Sequence, residues 1–429
     1  MKTNFLGTLA MIAAIFATTA CQKDKTDDTW KQLPVGQITV ESGDAAISVN
    51  EVPSAYGNAQ LVASGETDAE LTLTGAVPGF TEVKMNVELQ KKDEGTFHFS
   101  GSQVLSTPPS IAATLRSYMS NGFYTVEVQG DVTVEGKISV GVETKVSSGT
   151  AESLMGSWNI VRKCKYGETG PVNGPAQITW KAEGDAGAGI VTITALANAM
   201  ICPLLTEVFN QVTFDGTGNI MAQYYSDLDL GDEPISKIFE LAFGVTPDED
   251  GNVTYTAHHT DWVSSPKANL AFWYTQDASL FIVPNVAAII RAGETEDVKS
   301  DASGIDLSTI TELLAKLGEL GADVNSLNAE LQKMLSRGIE LKYSVADGNL
   351  KIYVDKSLCA PVVESLLPVL PVLDTLLEEL AKSEDPKDQE TLQMIQMVMG
   401  MLQIEKPSDL AAVWKNTSEF EIALNFTKA

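Results

Sequence analysis

Of the four cysteines in this 429-residue chain, Cys21 stands in the context that chemistry would use. It follows an apolar run over 5–16 and the small residues Thr18, Thr19 and Ala20, with one positive charge, Lys2, ahead of the run. A run of that length is too short to span a bilayer and has the composition of a cleaved secretory signal, with the cut expected between Ala20 and Cys21. The other three, Cys164, Cys202 and Cys359, lie more than thirty residues apart, with neither zinc-ligand spacing nor a CxxC pair. They read first as small buried apolar side chains, with one bridging pair in an oxidising compartment as the alternative.

The remaining candidates for chemistry do not form a set. His258-His259-Thr260-Asp261 is the only cluster of metal-type ligands, and adjacent histidines on a strand point to opposite faces. His98 sits alone in an alternating segment, and no serine-nucleophile elbow accompanies the three histidines. Acidic runs at 227–233 and 248–252 lack the EF-hand pattern and read as solvated loops. Nothing selects two of the 57 acids as a glycoside-cleaving pair. Aromatic side chains at 224–225 and 272–274 are explained by core packing. No catalytic residue, metal or cofactor is therefore expected.

The elements that would position these residues are mainly strands. Over 36–148 apolar and polar residues alternate, as in Val83-Lys84-Met85-Asn86-Val87-Glu88-Leu89, and Glu135-Gly136 marks a hairpin turn. A possible helix over 108–120 interrupts them, and 146–150 is small and polar, like a linker. Beyond it, the second domain opens on a first strand within 154–161, and further strands are expected at 176–180, 189–193, 211–214, 219–225, 253–257, 270–274, 279–283, 339–345, 350–354 and 420–426, with Asp347-Gly348 as a hairpin turn. Helical spacing appears over 196–209, 310–335, 357–382 and 389–403, the last dense in methionine. The fold class expected is mainly β with inserted helices, α+β, in two antiparallel barrel or sandwich modules. The boundaries are a signal peptide over 1–20, a flexible tether over 21–33, a β-rich domain over 34–146, and a second domain over 151–429 with a helical insertion at about 306–403.

Composition narrows the partners. A net charge of −28 disfavours nucleic acid and anionic lipid surfaces. The apolar stretch 357–380 is broken by three prolines and four acidic residues, so it is not expected to cross a membrane.

Several of these features resemble known families. The pattern ending at Cys21 is similar to bacterial lipoprotein signals, which implies diacylglycerol on the Cys21 thiol and a third acyl chain on its freed amine. The charged segment 22–28 looks like that of surface-exported lipoproteins of gut Bacteroidetes. Gly156 followed by Trp158 on a first strand resembles the opening of lipocalin and calycin barrels, where the tryptophan plugs the closed end and the glycine permits a tight bend. As a whole the chain resembles uncharacterised lipoproteins of gut Bacteroidetes with calycin-like or lipocalin-like barrels. The resemblance implies an outer-membrane lipoprotein, on the cell surface or the periplasmic face, whose membrane partner is reached through the lipid on Cys21. The expected role is non-catalytic binding of a small apolar or amphipathic ligand by the second barrel and its helices. The alternatives are a structural or interaction component of a surface complex and, third, a glycan hydrolase or glycan-binding protein.

Overall fold

The computed structural model describes residues 28–77, 80, 82–105, 124–146, 151–167, 170–184, 187–228, 240, 244–265, 269–285 and 308–429. The signal, Cys21, the tether to residue 27, the helix expected over 108–120, linker residues 147–150 and most of the acidic run 227–233 lie outside them. Residues 28–33, expected to belong to the tether, pack on the first module. Asp28–Gln32 form a 3-10 turn, Trp30 packs on the first core and Leu33 is buried in it, because both side chains gain more from apolar contact than from water.

The first module contains β1 (Ile38–Thr39), β2 (Ala45–Val49), β3 (Val52–Pro53), β4 (Asn58–Ala63), β5 (Asp68–Thr74), β6 (Glu82–Lys91), β7 (Thr96–Leu105), β8 (Tyr124–Thr133) and β9 (Ile138–Val146). Along β6, Val83, Met85, Val87 and Leu89 are buried while their neighbours face solvent, the period-two pattern of a half-buried strand. The sheet order is β1-β4-β5-β6-β7-β8-β9-β2-β3. In a flat sheet β3 and β4, seven strand spacings apart in that order, would be separated by roughly 34 Å. Residues 54–57 join them and reach no further than roughly 18 Å. The sheet must therefore roll up, with Phe97, Phe99, Leu61, Leu71 and Leu73 fully buried inside. One pairing departs from the antiparallel expectation. Strand β2 crosses to the far edge and runs parallel to β9, with Ala45 opposite Ile138 and Val49 opposite Val142.

The second module contains β10 (Gly156–Ile160), β11 (Lys163–Gly167), β12 (Gly170–Val172), β13 (Ala176–Ala182), β14 (Phe209–Phe214), β15 (Ile220–Tyr224), β16 (Asn252–Thr254), β17 (Val263–Ser264), β18 (Ala271–Gln276), β19 (Ser279–Pro284), β20 (Ile339–Ala346), β21 (Asn349–Asp355) and β22 (Thr417–Lys428). Pairing follows the chain from β10 through β14 and β15, and from β18 through β19, β20, β21 and β22 back to β10. The two ends meet where Asn219 bridges Phe272 and the Trp273 amide donates to the Gly218 carbonyl at 2.8 Å. This is a barrel-like meander with its first strand paired to its last. At the β20–β21 turn Asp347 and Gly348 both take positive φ, as the hairpin twist requires.

Several expectations change. Residues 189–193 are not a strand; they begin helix α1 (Gly187–Val208), packed on β12 and β13. A short β-branched apolar run is ambiguous in isolation; here Gly189, Ile190 and Thr194 are buried while Val191 and Thr192 face solvent, the one-sided burial of a helix rather than the alternation of a strand. The strand expected over 253–257 is only β16, and it joins β11 and β12 in a small separate sheet. The helix expected over 310–335 divides into α2 (Ser308–Glu319) and α3 (Val324–Arg337), parted at Gly321 with φ 94°. The expected hairpin of strands lies within the helical insertion over 306–403. Strands β20 and β21 interrupt it, and α4 (Lys356–Leu366), α5 (Leu370–Leu380), α6 (Pro386–Leu402) and α7 (Leu410–Lys415) precede β22.

Two helical stretches, Gly187–Val208 and Lys356–Leu380, have the length and mean hydropathy of a membrane-crossing helix. The first is tied to the small sheet and the barrel and is crossed by α6 at Gly189, where a Cβ would lie 2.5 Å from the Met401 carbonyl oxygen. The second is split by a 3-10 turn at Leu367–Val369 between Pro361, inside α4, and Pro371, at the start of α5, and it leaves leucines on the surface. The core of the first module extends into the second. Phe272, Tyr274, Phe281 and Val283 on the outer side of β18 and β19 join the buried cluster of the first module.

Candidate functional site

The predicted barrel-motif residues are structural. Gly156 has φ 107°, and a Cβ there would lie 2.9 Å from the Lys428 Nζ. Trp158 is buried, its Nε1 donates to the Leu154 carbonyl at 2.7 Å, and the Lys428 ammonium lies 4.3 Å from its ring centre. Lys428 also donates to the Met155 carbonyl at 2.6 Å, which fastens the last strand over the first. Inside the barrel Trp158, Phe214, Trp273, Leu280, Leu350 and Phe426 form one buried cluster. Of the barrel and helices expected to enclose a ligand together, the barrel contributes a packed interior. Large inward residues from successive strands occupy the space that an open cup would need.

The histidines are arranged differently from a pair on a strand. Residues 255–262 have no strand conformation, and the bend lets both histidines reach Glu207 near the end of α1. The Glu207 carboxylate, almost fully buried, lies 2.5 Å from His258 Nδ1 and accepts from the His258 amide at 3.1 Å. His259 Nε2 is 2.7 Å from the Glu207 carbonyl oxygen, and its ring stacks on Tyr225 at 3.7 Å and leans on Trp262 at 4.4 Å. Arg162 donates to Asn210 at 3.0 Å and lies over Trp262, and its burial lowers its pKa. Among the described residues no group of three or more His, Cys, Asp or Glu is placed to hold a metal ion. Through these bonds to Glu207 the cluster fixes the loop to α1. His98 is likewise not alone, since Asp131 faces it across β7 and β8 at 3.0 Å. His98 and Lys92 hold the Asp131 carboxyl below its usual range.

Cys164 and Cys202 are free and buried beside Tyr255, and burial pushes their thiols up to about 11 and about 12. Such thiols carry little thiolate at neutral pH and are poor nucleophiles. In the loop 248–252, Asp248 accepts from the Asp250 and Asn252 amides, which lowers its pKa and directs the carboxylate to the turn. A polar concavity of about 910 Å³ on the first module carries Glu51, Asp68, Glu88, Glu127 and Glu143. Four of these are exposed, and the half-buried Glu127 pairs with Lys145 at 3.2 Å.

The apolar site lies between α5 and α6. Leucines 373, 376, 377 and 380 recur at helical spacing on one side of α5. Pro386 at the first helical position and the Asp385 cap, which accepts from the Lys387 amide, start α6 and turn the chain back antiparallel. The groove so formed has a volume of about 810 Å³, with Leu373, Leu376 and Leu380 on one wall and Met394, Val398 and Leu402 on the other. Leu376 is 48% exposed and Met394 41% exposed, so these walls open to solvent. The methionine-rich helix was visible in the sequence, and the leucine spacing of α5 was a second signal. Their meeting in one groove required the hairpin. Comparison with protein-family models, with curated proteins and with solved structures finds no match to this chain.

Proposed function

We propose that this protein is an envelope-anchored lipoprotein that holds a small apolar or amphipathic ligand in the α5–α6 groove without changing it chemically. The observation that carries the reading is the groove, whose volume of about 810 Å³ lies within the range of small-molecule sites and whose walls are leucine, methionine and valine. The filled barrel moves the ligand from the barrel interior to the helices. Acyl chains on Cys21 are the proposed anchor, since each buried methylene contributes about 0.8 kcal/mol and several chains give durable attachment. The resemblance to gut Bacteroidetes lipoproteins agrees with an outer-membrane location.

A full chain carrying Cys21→Ser, titrated with the fluorescent probe N-phenyl-1-naphthylamine, tests the binding part. Saturable binding at one site is expected, weakened at least about tenfold by Val398→Glu, which places a charge on the apolar wall. Absence of saturable binding to the folded chain overturns it. The anchor is tested by labelling growing cells with a radioactive fatty acid, where Cys21→Ser should abolish incorporation.

A further inference from the structure

We infer that the ligand of the α5–α6 groove is an amphiphile with an aliphatic body and a primary ammonium head, seated with the head at the hairpin end of the groove; this rests on the binding reading above. The two helices run antiparallel, so the groove has two unlike ends. At the end away from the hairpin stand Leu370, Ile404, Pro407 and Leu410, all apolar, where the Ser408 amide ties the 404–410 segment to Asp374 at 2.9 Å. At the hairpin end stand Glu379, Ser383 and Asp388, and among the described residues these are the three polar groups of the lining, with no lysine, arginine or histidine.

The hydrogen bonding at that end leaves acceptors over. Ser383 Oγ donates to Asp388 Oδ2 at 2.5 Å, which uses one oxygen of that carboxylate. A carboxylate has about four acceptor positions, so Asp388 keeps capacity directed to a further donor. Among the described residues neither Glu379 nor Asp388 has a basic side chain within ion-pair distance, although Lys382 and Lys387 lie in the same hairpin. The positive end of α6 offers little to an anion, because the Asp385 cap and Asp388 in the first turn already face it.

A head group entering here meets two carboxylates and a hydroxyl. A fatty carboxylate would add a third negative charge in a chain whose net charge is already −28. A primary ammonium supplies three donors, enough for both carboxylates, and is favoured over a quaternary head that has none. Because Glu379 is exposed, the preference is expected to be moderate and to weaken with salt.

The test uses the full Cys21→Ser chain and three probes of equal chain length, dodecylammonium, dodecanol and dodecanoate, each displacing the fluorescent probe below its micelle concentration. At low salt the expected order is ammonium tightest and carboxylate weakest, about tenfold apart, with the alcohol between. Glu379→Gln with Asp388→Asn should bring the three together while leaving the alcohol unchanged. Equal affinities for ammonium and carboxylate in the unsubstituted chain overturn the head-group inference and leave the groove reading standing. An order that survives the double substitution also overturns it, since the bias then comes from the whole acidic chain. Failure of all three probes to displace overturns the binding reading itself.

Discussion

At the scale of single residues, the chemistry-bearing types in this chain are mostly committed to holding structure. Trp158 fills the barrel end under the Lys428 ammonium, so Trp158→Ala should cost about 3–5 kcal/mol in denaturant unfolding. Burial of that tryptophan was anticipated only through the resemblance of Gly156 and Trp158, placed after a linker, to the opening of a barrel. The lysine that covers the ring was not, since 270 residues of sequence separate it from the tryptophan. The thiols of Cys164 and Cys202 give a second prediction. Their folded values, about 11 and about 12, lie above the ordinary 9.0, so the folded chain holds these protons more tightly than the unfolded one. The stability they contribute is present below pH 9 and falls as pH rises through 11 and 12. Chemical unfolding at pH 8 and pH 10.5 should show a loss that Cys164→Ala with Cys202→Ala reduces; an equal loss in both chains would contradict it.

At the scale of elements, the bends between helices and strands decide which side chains meet. The histidine pair was read as divergent because alternation holds on a strand, and residues 255–262 have no strand conformation. Both histidines therefore close on Glu207. Glu207→Ala should free that loop, visible as faster amide hydrogen exchange over 255–262, and cost about 1–3 kcal/mol for the partners left unsatisfied. Unchanged exchange would show that the aromatic stacking on His259 suffices. The groove is likewise an element-level feature. Lengthening an alkyl probe by two methylenes should tighten binding about tenfold until the groove is filled, from about 0.8 kcal/mol per methylene. Isothermal titration across a chain-length series checks this, and a flat series would place the probes outside the groove.

At the scale of the whole molecule, the two modules are joined by burial. Phe281 and Tyr274 stack at 4.8 Å and lie in the first module's core although they belong to the second module's sheet. Asn269 donates to the Val49 carbonyl at 2.9 Å and Thr144 to the Thr217 carbonyl at 2.6 Å, further ties across the junction. Calorimetry is therefore expected to show one unfolding transition, and Phe281→Asp should lower the stability of both modules together; two separate transitions would contradict the shared core. By itself the sequence determined the strand-rich class, the hairpin turns, the place of the barrel's first strand and the presence of apolar helices, because period, turn chemistry and helical spacing act within a few residues. The tertiary structure decided that the first sheet rolls up around a parallel β2–β9 pair, that residues 189–193 are helix, and that the barrel is full. It also decided that the apolar groove is made by α5 and α6. Each of these depends on which distant surfaces bury one another, a competition for contact that no local pattern encodes.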